Sequence, residues 1–170
     1  MDRAELLDAL GEVADGLSRR RASARVYVVV GGAAMALAYD ADRATRDVDA
    51  VILDDHGAVI EVVRDVARRR GLPTTWLNEQ AAAYIPRGDD HRQIVVFDHP
   101  SLRVLAASPE RLLAMKARAA RLADRGDIAR LAELVGVTNA DDVATIVAGQ
   151  FPDEPWPERS RKTVEDILGG

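Results

Sequence analysis

GGAAMALAYDADRATRDVDAVI, residues 31–52, is the stretch that decides the fold, because it joins two candidate strands through a glycine pair. The β-branched run RVYVVV, residues 25–30, predicts a buried strand that ends at the glycines. The residues AAMALAYD predict a short helix, and DVDAVIL, residues 47–53, predicts the next strand. The order strand, turn, helix, strand is typical of α/β and α+β proteins.

The patterns on either side of this stretch extend the same fold class. Apolar residues recur at helical spacing from Leu6 to Leu17 and again from Val59 to Ala67. The segments RQIVVFD and LRVLAA, within residues 92–107, predict two more strands joined by a turn. We therefore expect an α/β (α+β) core with an N-terminal helix over residues 1–107. Residues 108–170 predict helices and form a C-terminal helical region, which we expect to pack with the core as one compact unit.

Composition excludes several functional classes. The chain has no cysteine, which excludes disulfides, thiolate catalysis and cysteine-ligated zinc. The N-terminal segment is acidic and amphipathic rather than a signal peptide, and no apolar run reaches the roughly 20 residues that span a bilayer. We expect a soluble, cytoplasmic protein without a membrane partner. A net charge of −5 argues against a dedicated non-specific DNA binder, although arginine clusters at 19–25 and 68–70 could contact a nucleic acid.

Asp47 and Asp49 are the first candidates for chemistry. If DVDAVI is a strand, alternation places both carboxylates on one face, where they repel each other unless a cation lies between them. A divalent ion such as Mg²⁺ or Mn²⁺ accepts such oxygen ligands and can also bind triphosphate oxygens. The alternative is that Asp47 is an ordinary turn residue and Asp49 an ordinary solvent-facing one.

Gly31 and Gly32 are the second candidates. A glycine pair between strand and helix lets the backbone approach a ligand closely, and the following N–H groups suit phosphate. The sequence contains neither a Walker loop nor a dinucleotide-binding fingerprint at this position. The alternative is a tight turn without a ligand.

Together, a glycine pair, a helix and then Asp-x-Asp resemble the nucleotidyltransferase superfamily of DNA polymerase β type. RATRDVDA, from Arg43 to Ala50, looks especially like the AbiEii and MenT-like toxin branch. The resemblance implies a nucleotidyltransferase fold, with a small mixed β-sheet flanked by helices and a C-terminal helical part. It also implies that Thr45 and Arg46 lie at the nucleotide.

A second block is similar to the C-terminal motif of the same branch. SPERLLAMKARAARLADRGDIARL, residues 108–131, contains Lys116, Arg121, Asp124 and Asp127 at matching places. The resemblance implies that Lys116 and Arg121 contact the nucleotide and that Lys116 and Asp127 serve catalysis. One unbroken helix would place Lys116 and Asp127 on one face, but Gly126 is a candidate break. The alternatives are a surface lysine and a helix cap at Asp127.

A third metal-binding carboxylate is the least determined part of the predicted site. Asp98, at the end of the strand RQIVVFD, is the best positional candidate, and an ordinary turn residue is the alternative. The segment GLPTTWLNEQAAAYIP, residues 71–86, also looks like a segment of this branch, but no chemical role follows from it. Trp76 within it is predicted to be a packing anchor.

The resemblance implies an enzyme that transfers a nucleoside monophosphate from an NTP to an acceptor hydroxyl. Asp47, Asp49 and Asp98 would hold Mg²⁺ or Mn²⁺, and Asp47 and Asp49 would also be catalytic. The resemblance further implies a toxin of a toxin–antitoxin system, with a tRNA 3′ end as acceptor and a cognate antitoxin as partner. Transfer to a protein or small molecule, as in an antitoxin-like or resistance-type enzyme, and a non-catalytic nucleotide-binding module remain alternatives.

Overall fold

A computed structural model describes residues 1–39, 42 and 44–169, with the side chains of residues 29 and 30 left undescribed. The chain divides into two compact units. The first consists of Met1–Ala83 and Gln93–Ala107, and the second of Tyr84–Arg92 and Ser108–Gly170. The division falls between residues 107 and 108, but residues 84–92 belong with the helical unit.

The first unit contains a mixed sheet with helices, as the resemblance implied. Its elements are α1 (Arg3–Arg19), β1 (Ala24–Val30), α2 (Gly31–Ala34), β2 (Val48–Ile52), α3 (His56–Arg70), β3 (Leu77–Asn78), β4 (Ile94–His99) and β5 (Leu102–Ala106). A π-helical turn, Met35–Tyr39, continues α2, so the predicted helix here is only partly α-helical. The described strands form a five-stranded sheet in the order β3-β2-β1-β5-β4. The predicted α/β (α+β) class, with a small mixed β-sheet flanked by helices, is therefore confirmed.

Strand directions decide which residues share an end of the sheet. β1 runs antiparallel to β2 and parallel to β5, β2 runs parallel to β3, and β4 runs antiparallel to β5. The C-terminal end of β1 therefore lies beside the N-terminal end of β2. The Gly-Gly turn and the aspartate pair consequently share one end of the sheet, which the sequence order alone did not establish.

Helix α1 of the first unit forms because its cap and its apolar face agree. Asp2 and Glu5 form a capping box at the start of α1, and the buried face of α1 follows the predicted apolar spacing. Outside the buried face, Glu12 pairs with Arg69 and Arg70 at the end of α3, at 3.0 and 2.7 Å. Part of the predicted arginine cluster is thus used to join two helices.

The second unit is helical: α4 (Pro109–Ala119), α5 (Arg125–Val135), α6 (Ala140–Gln150) and α7 (Glu158–Leu168). Ser108 caps α4 with Pro109 in the first turn, as predicted. The break before Asp127 is real but lies elsewhere than predicted. Ala120 adopts a left-handed conformation (φ 42°) and ends α4, whereas Gly126 lies inside α5. In the described part of the chain, no helix has the length and apolarity needed to cross a membrane.

Candidate active site

Asp47 and Asp49 lie beside the end of β1. Asp49 is the second residue of β2 and pairs with Val30, the last residue of β1. The strand neighbours of Asp49 are fully buried, whereas Asp49 is half-buried, so its carboxylate lies on the less covered face. Asp47 directly precedes the strand and is exposed. A shared face for the two carboxylates stays a prediction, because Asp47 precedes β2 instead of lying within it.

The glycine pair brings bare backbone against this strand. Gly31 has φ +84°, and a Cβ there would lie 3.1 Å from Oδ2 of Asp49. A Cβ on Gly32 would lie 2.7 Å from Cβ and 2.8 Å from Oγ1 of Thr45. A side chain at Gly32 would require Thr45 to shift, and Gly31 has a backbone conformation that favours glycine. Accessible backbone beside carboxylates is the arrangement that a phosphate and its cation require.

Thr45 and Arg46 form the loop that leads into Asp47. Thr45 Oγ1 donates to the backbone oxygen of Asp47 at 3.0 Å, and its backbone N–H donates to the oxygen of Met1 at 2.8 Å. Thr45 therefore fixes the loop before the carboxylates, while Arg46 is exposed. The contact of either residue with a nucleotide stays a prediction. Arg43 of the same motif lies outside the described residues.

Asp98 does not join the aspartate pair. It pairs with Arg103 on β5, and Arg103 pairs with Arg25 near the start of β1. Asp49 instead pairs with Val30, five positions farther along β1, which corresponds to about 16 Å at the rise of a strand. The expectation of Asp98 as third metal ligand is corrected by this register, because β4 ends at the opposite end of the sheet.

The donor set fits a hard divalent cation. Two carboxylates offer oxygen ligands, and Mg²⁺ in proteins is commonly held by one or two carboxylates together with waters and substrate phosphates. Across the described ranges, no group of three or more histidine, cysteine or acidic side chains is placed to hold a metal ion. A cation at Asp47 and Asp49 would therefore complete its coordination from water or substrate.

Lys116 and Asp127 meet inside the second unit. Nζ of Lys116, on α4, lies 2.7 Å from Oδ1 of Asp124 and 2.9 Å from Oδ2 of Asp127. Lys116 is 6% exposed and Asp127 is 2% exposed. The alternatives of a surface lysine and a capping aspartate are therefore both wrong, since Asp127 lies in the first turn of α5 and Asp124 precedes that helix.

Arg121 lies at the corner of this cluster. It follows the left-handed Ala120 and precedes a 3₁₀ turn, Leu122–Asp124. Its side chain is exposed, whereas Lys116 is not. The resemblance grouped the two residues, but their surroundings differ. Nucleotide contact by Arg121 stays a prediction.

Residues 77–79 make contacts with β2 and α3 that the sequence patterns missed. Asn78, on the two-residue strand β3, pairs in register with Asp49. Glu79 accepts from the backbone N–H of Ile52 at 3.1 Å and contacts Nε2 of His56 at 2.7 Å. Burial raises the pKa of Glu79, but these two hydrogen bonds outweigh it and hold the pKa below its ordinary value. A strand of two residues has no periodicity that a sequence pattern could detect. The only signal in the sequence was the resemblance of residues 71–86 to a segment of the toxin branch.

Comparison with known proteins identifies a family. A family model described as "Nucleotidyltransferase of unknown function (DUF6036)" matches residues 4–163, nearly the whole chain. Neither the curated proteins nor the solved structures contain a match to this chain.

Proposed function

We propose a reaction for this protein from the premise that the chain belongs to the family of nucleotidyltransferases of unknown function (DUF6036). The protein transfers a nucleoside monophosphate from an NTP to a hydroxyl group of an acceptor. The hydroxyl oxygen attacks the α-phosphorus, the bond from that phosphorus to the bridging oxygen of the β-phosphate breaks, and pyrophosphate leaves.

The close approach of Gly31 to Asp49 carries this proposal. The 3.1 Å spacing between a Cβ at Gly31 and Oδ2 of Asp49 means that backbone and carboxylate share one small surface. Such a surface suits a triphosphate bound through its cation, since the backbone N–H groups are donors and the carboxylates are cation ligands. A turn with only a structural role does not require exposed carboxylates at this point.

The residues take separate roles in this reaction. Asp47 and Asp49 would hold Mg²⁺ or Mn²⁺, and the backbone at Gly31 and Gly32 would bind phosphate oxygens. When bound, the cation neutralises triphosphate charge and favours attack at the α-phosphorus. Asp49 is the candidate in this unit to accept the proton of the acceptor hydroxyl.

Lys116, Arg121 and Asp127 keep the roles that the resemblance implies. Lys116 and Arg121 would bind nucleotide phosphates, and Asp127 would serve catalysis. To bind a phosphate, Lys116 would have to weaken its ion pair with Asp124 or with Asp127. This energetic cost favours a positioning role for Lys116 over direct binding of phosphate. Each role is tested by its own substitution, with stability measured beside activity.

The acceptor and the biological role rest on the resemblance. We propose a tRNA 3′ end as acceptor, a toxin function in a toxin–antitoxin system, and a cognate antitoxin protein as partner. Transfer to a protein or a small molecule is the alternative within the same chemistry. The net charge of −5 favours that alternative, because RNA binding gains from positive charge.

The decisive experiment supplies purified protein with Mg²⁺, a cell extract and each of four α-labelled NTPs. Label in RNA supports the tRNA proposal, whereas label in protein or in small molecules supports the alternative acceptors. Asp47→Asn is the test variant, and Asp98→Asn is its matched control at the opposite end of the sheet. We expect Asp47→Asn to abolish labelling and Asp98→Asn to leave it within about twofold of wild type.

A nucleotide-binding module without catalysis is the second candidate. It is favoured by the lack of a third acidic ligand beside Asp47 and Asp49 in the part of the chain that the structure describes. Calorimetry with each NTP and Mg²⁺ separates the two functions. NTP binding without label transfer would establish the module, and the absence of both would refute nucleotidyl transfer.

A further inference from the structure

The segment Trp76–Glu79 has no part in the reaction above, yet it is fixed on the strand that carries Asp49. Trp76 is 1% exposed, and its Nε1 donates to the backbone oxygen of Val63 at 3.2 Å. Its own backbone oxygen accepts from the N–H of Val48 at 2.6 Å. The buried indole therefore anchors the segment on α3 and on the first residue of β2.

This anchoring places Asn78 beside Asp49. The parallel register pairs Leu77 with Val48 and Asn78 with Asp49. Leu77 and Val48 are buried, whereas Asn78 and Asp49 are both half-buried. Alternation therefore puts the amide of Asn78 on the same face as the carboxylate of Asp49.

The amide of Asn78 retains hydrogen-bonding capacity. Its Oδ1 accepts from the backbone N–H of Gln80 at 3.0 Å, which fixes the side chain in an Asx turn. Its Nδ2 donates to the backbone oxygen of Thr75 at 3.4 Å, a long bond that uses one of two N–H groups. One amide N–H is therefore left without a bond to the described residues.

We propose that Asn78 is a nucleotide-contacting residue, whose Nδ2 donates to an oxygen of the bound NTP. The inference rests on the proposed function, because it takes the NTP to lie at Asp47 and Asp49. A neutral donor suits this place, since it binds a phosphate or ribose oxygen without competing with the cation for the carboxylates. A lysine there would pair with Asp49 instead.

NTP binding by calorimetry tests the contact without requiring turnover. The variants are Asn78→Ala, which removes the amide, and Asn78→Asp, which keeps the oxygen that accepts from Gln80 but removes the donor. In the presence of Mg²⁺, we expect each to weaken binding of the preferred NTP by roughly tenfold to a hundredfold, as for a hydrogen bond to a charged group. Gln80→Glu, an exposed amide-to-acid change in the same segment, should bind within about threefold of wild type.

Two nucleotide analogues identify the oxygen. If the donor binds a ribose hydroxyl, the wild-type protein binds the 2′-deoxy or the 3′-deoxy NTP more weakly than it binds the NTP. The Asn78→Ala variant, which lacks the donor, then binds that deoxy nucleotide and the NTP with equal affinity. If it binds a phosphate, Asn78→Ala weakens all three nucleotides equally. Either pattern supports the contact.

Three results would overturn the inference. Wild-type affinity in both Asn78 variants refutes the contact and leaves the proposed function intact. Recovery of affinity and melting temperature by Asn78→Asp, after losses in Asn78→Ala, assigns Asn78 to the turn alone. Absence of NTP binding by the wild-type protein refutes the proposed function, and the contact with it.

Discussion

The aspartate pair of β2 and the cluster around Lys116 contain carboxylates of the same kind in opposite surroundings. Asp47 is exposed and Asp49 is half-buried, beside bare glycine backbone. Asp127 is 2% exposed and has an ammonium group 2.9 Å away. A carboxylate that solvent reaches can exchange water for a cation, whereas a carboxylate buried beside an ammonium group already has its counter-charge. We therefore expect ligand binding in the first region, whereas the contacts of the second region also stabilise the fold.

Asp49→Asn is the variant with the largest expected effect, and it tests the comparison between the two regions most directly. We expect label transfer to fall about a thousandfold, since a lost cation ligand removes several kcal/mol of charge stabilisation. The melting temperature should change by only a few degrees, because Asp49 is half-buried at one end of the sheet rather than in the core. Transfer assays and thermal unfolding on the same preparation give both values. A fall in activity accompanied by a large fall in melting temperature would contradict a ligand role.

Lys116→Met should lower the stability of the protein, which Asp49→Asn should leave nearly unchanged. Removing the ammonium leaves two carboxylates in a mostly buried place, and we expect the free energy of unfolding to fall by about 3 kcal/mol. Lys162→Met is the matched control, because Lys162 pairs with Glu158 at 3.0 Å on an exposed helix surface. That change should cost about 0.5 kcal/mol or less. Urea unfolding of both variants measures the difference, and equal costs would remove the structural role from Lys116.

Gly32→Ala tests the close approach in the first region. The new Cβ would lie 2.7 Å from Cβ of Thr45, so we expect a loss of about 2 kcal/mol in stability from overpacking. Thr45→Gly combined with Gly32→Ala removes the clash and should recover part of that loss. Unfolding curves of the two single variants and the double variant give the coupling. Purely additive effects would mean that Gly32 and Thr45 do not constrain each other.

Substitution of Glu79 should have the smallest effect on stability. The exposure of Glu79 lies between that of Asp47 and that of Asp127. Its pKa in the folded protein is below the ordinary 4.5, so its contribution is present above that pH and is lost as the pH falls below it. Between about pH 6 and about pH 3, wild type should lose about 1 kcal/mol more stability than Glu79→Gln. Unfolding free energies across this range measure it. Parallel pH profiles for the two proteins would show that the hydrogen bonds to Ile52 and His56 contribute nothing.

Long periodic elements were predictable, because their patterns are local. The apolar spacing of α1 and α3 and the β-branched runs of β1 and β2 gave the correct elements. The cap at Ser108 also gave the correct start of α4. The end of α4 was not predictable in the same way. Left-handed Ala120 ends the helix, whereas Gly126 lies inside α5, so the glycine preference of about 1 kcal/mol does not decide where the break falls.

One part of the candidate site was predictable, because its pattern is also local. Gly31, Gly32, Asp47 and Asp49 belong to one continuous stretch, so their types and spacing were visible together. Asp98 was misplaced because a strand's direction in the sheet depends on its partner, and β4 runs antiparallel to β5. Asn78 was missed because a two-residue strand is defined only by pairing with β2.

The sequence by itself determined the strand, turn, helix, strand order, the glycine pair and the aspartate spacing, since these follow from steric and apolar preferences of neighbouring residues. The tertiary structure decided which of these features meet. It paired Asp49 with Val30 and Asn78, separated Asp98 from them, and buried Lys116 with Asp124 and Asp127. The physical reason is that register and burial depend on contacts between residues far apart in the chain, whereas propensity and periodicity record only what is near.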